Sequence, residues 1–340
     1  MQPISGGYKE HFAVTWFGCV LLCAQIVFAE AISQTHHRHH LEVLQGQSAD
    51  PDTGCGYTGS KVIFTALYGT TVRTPWLNCA VESAMLKRGN DSVIVLTDSI
   101  EQFKESWPGS LPNPARLVDV PRCLTNTPLQ HWLESPELAA AVFRQQNIAN
   151  ALRLAAIYKN GGVYIDLDIV PLQDKLFSAV GALSMQCTIA ECGEDFWLNN
   201  AYLNFPPKHP FMWQLMNAFA LEFNGALWGF NGPRLVSSLY NRLLCADPLV
   251  PRSECAGVDL LPVERLAPLN WANTIQALSS SPAQPEFDFH NEDFWAVHVY
   301  HNMWKEACIP QPSVFNDIML EHCPQVSMYS SNHIYCQVLM

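Results

Sequence analysis

The sequence predicts an α/β fold, a mixed and mostly parallel sheet flanked by helices, on three observations. Residues 62–66 (VIFTA), 75–87 and 92–96 read as strand, helix with an apolar face, and strand, a βαβ-like opening. Residues 136–159 are mostly helical in pattern and stop at Gly161-Gly162, where a short apolar strand, Val163-Tyr164-Ile165, begins. The chain has 340 residues, 49% apolar and 15% charged, enough apolar material for a substantial core.

Taken in order, residues 12–32 carry one acidic residue, Glu30, and Lys9 is the only basic residue before them. Their length fits an uncleaved signal-anchor, with residues 1–34 as cytosolic tail and anchor, or a signal peptide cut after Ala29. The stretch outruns the ~7–15-residue core of a signal peptide, which favours the anchor. Residues 35–60 are polar and read as a stem; the His36–His40 cluster fits a solvated tract better than a metal site. Residues 61–340 read as one domain without internal repeats. In it, residues 107–128 are proline-rich and read as loop, residues 210–223 and 234–244 as helices, Asn231-Gly232-Pro233 as a turn, and residues 295–300 as strand-like.

Nineteen Lys+Arg against 31 Asp+Glu give a net charge of −12, and no basic run interleaves with aromatics, which excludes nucleic acid as partner. Of 12 cysteines, ten lie beyond the apolar segment, an even number that points to disulfides in an oxidising compartment. Cys187–Cys192 and Cys245–Cys255 have the spacing of locally bridged loops, and no paired CxxC zinc site occurs. Asn90-Asp91-Ser92 is the one N-glycosylation sequon, as expected of a lumenal surface loop.

The chemistry concentrates where the strand at 163–165 ends. Asp166 and Asp168 follow it, and in an extended backbone residues two apart point to one side. Two carboxylates projecting together can hold a hard divalent cation with positions left for phosphate oxygens, though two acids after a strand also simply solvate a turn. An acidic protein that handles a phosphorylated substrate needs such a cation as bridge. Arg153 sits in an otherwise apolar stretch, where its charge requires a partner, structural or functional.

Several blocks, in order from about Val62 to His301, resemble glycosyltransferase family 32, in its α-1,4-galactosyl- and α-1,4-N-acetylglucosaminyltransferase branch. They include Cys79-Ala80-Val81-Glu82-Ser83-Ala84, Thr127-Pro128-Leu129-Gln130-His131-Trp132 and the segment from Leu152-Arg153 through Asp168. Asn200-Ala201-Tyr202-Leu203-Asn204-Phe205, His209-Pro210-Phe211, Trp228-Gly229-Phe230-Asn231-Gly232-Pro233, Cys245, Cys255-Ala256-Gly257-Val258, Leu261-Pro262, Asn270-Trp271 and Ala296-Val297-His298 complete the series.

The resemblance implies a GT-A-type nucleotide-sugar-binding fold and a Mn²⁺-dependent (or Mg²⁺-dependent) retaining transfer of a hexose from a UDP-sugar donor. UDP-galactose is favoured over UDP-N-acetylglucosamine, and the implied acceptor is the 4-hydroxyl of a terminal galactose on a glycolipid or glycan. It further implies a single-pass type II protein of the Golgi membrane with a lumenal catalytic domain. Asp166 and Asp168 match the metal and diphosphate motif, Arg153 the arginine set against the donor sugar, and His298 a third metal or diphosphate ligand. Asn150, Gly162, Tyr164, Asn200, Trp228, Asn231 and Gly232 fall in the matched blocks as donor- or acceptor-binding candidates. His298 equally fits an ordinary buried histidine, Asn231-Gly232 a tight turn and Trp228 a core residue. Asp98 reads as a turn or capping aspartate within reach of the uridine.

The chain departs from the family pattern at three places. Ala149-Asn150 stands where many members carry Ser-Asp, Thr65-Ala66 where relatives carry Glu-Thr, and Tyr300-His301 where Trp-Asn is usual. Asn150 still hydrogen-bonds a hydroxyl but brings no charge. Two other readings stand beside the transferase: a catalytically silent lumenal binding protein on the same fold, and a metal-dependent hydrolase, for which no general-base motif is present.

Overall fold

The computed structural model describes residues 54–68, 75–244, 257–303 and 311–334. The N-terminal apolar segment, the stem's first 19 residues (35–53) and Cys245–Cys255 lie outside the described residues. Among the described residues, no helix is long and apolar enough to cross a membrane.

A seven-stranded sheet forms the centre, in the order β3-β2-β1-β4-β7-β6-β8. Its strands are β1 (Lys61–Ala66), β2 (Val93–Thr97), β3 (Ala115–Leu117), β4 (Gly162–Ile165), β6 (Ala182–Met185), β7 (Leu198–Phe205) and β8 (Asp259–Leu261). β3, β2, β1 and β4 run parallel; β7 is antiparallel to both β4 and β6, and β8 parallel to β6. The sheet is mixed and mostly parallel, as predicted. β1 and β2 read as continuous β-branched and apolar runs because both their faces are covered. Alternation sorts their side chains: Ile63, Leu96 and Tyr164 join the core on one face, Val62, Phe64, Val95 and Ile165 that on the other.

Helix α1 (Cys79–Arg88) connects β1 to β2, and α2 (Arg144–Asn160) leads into β4. The helical stretch predicted for 136–159 is two helices, since the short Pro136–Ala139 element ends before Phe143 starts α2. Gly161 caps α2 at φ 69°, and its N–H bonds to Ile157 O (2.8 Å). Gly162 has φ 109°, and a Cβ there would fall 2.3 Å from Lys61 O. The glycine pair is therefore what lets α2 end and β4 lie against β1.

Helices α3 (Pro210–Leu221) and α4 (Leu235–Leu244) follow near the predicted limits. The predicted loop at 107–128 contains the short β3 and a helix, Val120–Leu124, that begins under Asp119 and Pro121. A two-stranded ribbon pairs β5 (Ile169–Pro171) antiparallel with β9 (Ala296–His298) and packs with α5 (Val314–His322). Helix α6 (Pro324–Ile334) is held by Cys79–Cys323 and by Glu82, whose carboxylate accepts from the N–H groups of Gln325 (3.0 Å) and Val326 (2.7 Å). Cys55–Cys123 is a second disulfide, and Cys187–Cys192 closes a local loop as its spacing predicted.

Candidate active site

β1 has β2 on one side and β4 on the other, so the crevice at their carboxyl ends is the sheet's switch point, where α/β sheets place ligands. A cavity of about 450 Å³ opens there. Asp166, Asp168, Arg153, Asn150, Asn200, Trp228, Asn231 and His298 all line it.

The aspartates are not displayed by strand alternation. β4 ends at Ile165, and Asp166–Ile169 form a turn in which Ile169 N–H donates to Asp166 O (3.0 Å). On this turn Asp166 looks inward. Its Oδ1 accepts from the Tyr164 hydroxyl (2.5 Å) and lies 3.0 Å from Arg153 Nη2; its Oδ2 accepts from Arg153 Nη1 (3.1 Å). Arg153, 6% exposed, also donates from Nη1 to Asn200 O (2.9 Å), and its guanidinium lies 4.4 Å from the Tyr164 ring centroid. Burial lowers the Arg153 pKa, but Asp166 and the neighbouring acidic groups more than reverse this and hold it above its ordinary value. Burial raises the Asp166 carboxyl above the usual range, and Asp168 adds to this against the pull of Arg153.

Asp168 faces the other way. Its Oδ2 lies 3.4 Å from His298 Nε2 and accepts from the His301 N–H (3.2 Å). Burial opposes ionisation, yet His298, then His301, outweigh it and hold this carboxyl below its ordinary value. The β5–β9 pairing sets this geometry by placing Ile169 opposite His298. Tyr300 stacks on His298 at 3.9 Å and 22°, adopting φ 47° to do so, and fixes the imidazole plane.

Among the described residues, no three His, Cys, Asp or Glu side chains are disposed to hold a metal ion together. The expected set of Asp166, Asp168 and His298 is thus not preformed, because the Arg153 guanidinium and Tyr164 hydroxyl take up both oxygens of Asp166. The carboxylate and imidazole of Asp168 and His298 still fit Mn²⁺ or Mg²⁺. Such ions are held by few protein ligands, the rest of their shell being phosphate oxygens and water.

Three predicted residues lie behind the wall instead of on it. Tyr164 is fully buried and supports Asp166, sharing a hydrogen bond with Thr65 Oγ1 (2.9 Å). Gly162 serves the β1–β4 contact, and Gly232 makes room for Asn200, whose Oδ1 would lie 2.8 Å from a Cβ. Asn200 Nδ2 donates to Asn150 Oδ1 (3.0 Å), so the two amides form one polar wall. Asp98 accepts from Tyr68 N–H (2.8 Å) and is a turn residue.

Sequence reasoning missed Asn147, Tyr300 and His301 as lining residues. The Tyr300-His301 departure was visible, but only the ribbon pairing shows that it contacts the aspartate turn. Asn147 was legible as one helical turn before Asn150 on the same face of α2.

The glycosyltransferase sugar-binding region containing a DXD motif matches residues 75–187, and the alpha 1,4-glycosyltransferase conserved region matches residues 204–330. The chain is 27% identical over 232 residues to lactosylceramide 4-alpha-galactosyltransferase of Rattus norvegicus, covering 66% of this chain and 62% of that protein. The Homo sapiens protein of the same name is 29% identical over 225 residues, with 64% and 62% covered. Alpha-1,4-N-acetylglucosaminyltransferase of Homo sapiens is 26% identical over 216 residues, with 61% and 59% covered. The matches thus span about 62% of the length of the first relatives. PaToxG glycosyltransferase superposes with a TM-score of 0.39 at 12% identity, over 54% of this chain and 69% of that one, a likeness that carries no weight here. The cavity is lined from both matched regions, which occur in order in this chain, and the chain is similar to the α-1,4-glycosyltransferases named above.

Proposed function

We propose that this protein is a retaining α-1,4-glycosyltransferase of the Golgi lumen with a GT-A-type fold, moving a hexose from a UDP-sugar to the 4-hydroxyl of a terminal galactose. The observation that carries the reading is the polarised cavity at the switch point, with Asp168 and His298 at one pole and the Arg153–Asp166 pair beside them. The donor is UDP-galactose first and UDP-N-acetylglucosamine second, in keeping with what the relatives' names say those proteins transfer. An exposed Asn90 in the sequon and the three disulfides among the described residues support a lumenal location, and the anchor at residues 12–32 would hold the protein to the membrane.

Asp168 and His298, beside Asp166, would hold Mn²⁺ (or Mg²⁺), which would neutralise diphosphate charge as UDP departs. The protein's own part is positional and electrostatic. Arg153, kept protonated and fixed by Asp166, Tyr164 and the Asn200 carbonyl, presents positive charge to the donor. Asn150 and Asn200 offer amides to sugar hydroxyls. The acceptor oxygen bonds to the sugar C1 while the C1–O bond to UDP breaks, the electron pair leaves with UDP, and the hydroxyl proton passes to the departing phosphate. Among the described lining residues the only carboxylates are Asp166 and Asp168, both engaged, which favours attack on the face UDP leaves over a covalent glycosyl-enzyme.

A donor screen tests this: UDP release from UDP-galactose, UDP-N-acetylglucosamine and UDP-glucose with lactose-type acceptors. Turnover of one donor that needs metal and is accelerated by acceptor supports the reading. Silence across all three from folded protein that still binds UDP-sugar would replace it with the binding-protein reading.

A further inference from the structure

Away from the aspartates, the mouth of the cavity carries an apolar face. Leu227 is 50% and Trp228 54% exposed, and both line the cavity. Phe143, just before α2, meets Trp228 edge-on with centroids 5.2 Å apart and planes at 72°. A half-exposed tryptophan beside a polar cavity is the kind of surface that receives a partner.

The loop that carries it is fastened at its base. Asn231 is buried, accepts at Oδ1 from Asn224 N–H (2.9 Å) and donates from Nδ2 to Asn224 O (2.7 Å), closing residues 224–231. Those backbone groups fix which end of the Asn231 amide is which. Its second hydrogen therefore goes to Asn147 Oδ1 on α2 (3.0 Å), which leaves Asn147 Nδ2 buried without a protein partner on the cavity wall. Val142 N–H adds a bond to Gly225 O (3.0 Å), and a Cβ at Gly225 would sit 2.4 Å from Ala141 Cβ. So tight a fastening keeps Trp228 in one place before anything binds.

We infer that residues 224–231 form the acceptor platform, with Trp228 stacking on the apolar C–H face of the acceptor's terminal sugar ring and Asn231 and Asn147 as positioning residues. A pyranose has one apolar face and a hydroxyl edge; an aromatic ring meets the first, and the carboxamides of Asn147 and Asn150 stand ready for the second. The donor side lies deeper than Trp228, since Arg153 and Asn200 are 6% and 5% exposed against its 54%. Asn147 lies three residues before Asn150 and six before Arg153 on α2, roughly 4.5 and 9 Å nearer the helix N-terminus, where Phe143 meets Trp228. The outer, half-exposed position belongs to the substrate that enters last.

This rests on the transferase reading, and the test separates the two. Trp228→Ala, Trp228→Phe and Asn231→Ala are made in the full chain, and folding is checked by circular dichroism. Three quantities are measured: lactose binding by titration calorimetry, KM for lactose, and donor KM with UDP release in the absence of acceptor. Trp228→Ala should weaken lactose about tenfold in both binding and KM, while donor KM and acceptor-free UDP release stay within about twofold. Trp228→Phe should recover most of the loss, and Asn231→Ala should repeat the acceptor-selective pattern to a lesser degree. The platform is overturned if lactose binding is indifferent to Trp228→Ala, or if donor KM rises as much as acceptor KM. No turnover with any donor would overturn the transferase reading alone, and lactose binding would still decide the platform.

Discussion

Asp166 and Asp168 share one turn, and the fold puts them to opposite uses. Asp166 is bound into an inward cluster with Arg153 and Tyr164, its two oxygens both occupied. Asp168 is bound through one oxygen to His298 at the end of the ribbon and to the N–H of His301 beyond it, and among the described residues its Oδ1 takes no hydrogen bond. Burial raises the first carboxyl's pKa, whereas His298, then His301 with its backbone N–H, hold the second's down. The contrast teaches that a two-aspartate motif need not be two equivalent ligands. One carboxylate fixes a buried arginine, and the other is kept ionised at the cavity.

Removing each partner should break the comparison in a different way. The largest effect is expected from Asp166→Ala, which leaves Arg153 buried without its counter-charge. Chemical denaturation should show a loss of about 3–5 kcal/mol, with activity lost alongside. Asp168→Asn should lower kcat by about 10²–10³-fold while the melting temperature shifts by only a few degrees. A kinetic loss without a stability loss is what separates the two halves of the motif. Tyr164→Phe removes the hydroxyl that bridges Thr65 and Asp166, and should cost about 1–2 kcal/mol in denaturation with a smaller loss of kcat.

The smallest effect on activity lies outside the pair and serves as its control. Burial, then the neighbouring Lys87, depresses the His322 pKa to about 4. A depressed histidine contributes stability above its unfolded pKa of about 6.5, and that contribution is lost as pH falls from there through 4. His322→Gln should flatten the stability profile between pH 6.5 and 4 by about 2 kcal/mol, without altering the activity profile at neutral pH. If the activity profile moved as well, the C-terminal helices would be coupled to the site.

The parallel half of the sheet was legible because its signals are local. β1 and β2 are uninterrupted apolar runs, and Gly161-Gly162 marks the end of α2 and the start of β4. β7 was not read as a strand, because Asn199, Asn200 and Asn204 have low strand propensity. Their amides are satisfied by tertiary partners: Asn199 bonds Gln186 and the Ala201 N–H, and Asn200 bonds Asn150. The Asp pair and Arg153 were legible as charges out of place in apolar sequence. The division of labour between the aspartates was not, since it depends on β9, 130 residues downstream of Asp168, pairing with β5. Asn231 was legible as a turn residue, but its clasp on Asn224 and Asn147 exists only once α2 and the loop have packed.

On the proposed function, Asp168 serves a metal-dependent transfer of sugar from UDP. This role is tested most directly by measuring UDP release by the full chain and by its Asp168→Asn variant, each with Mn²⁺ and with chelator, in the presence of UDP-galactose and lactose. The prediction is turnover that needs Mn²⁺ in the wild type and falls to the chelated level in a folded Asp168→Asn protein. Full Mn²⁺-dependent activity in that variant would contradict the claim.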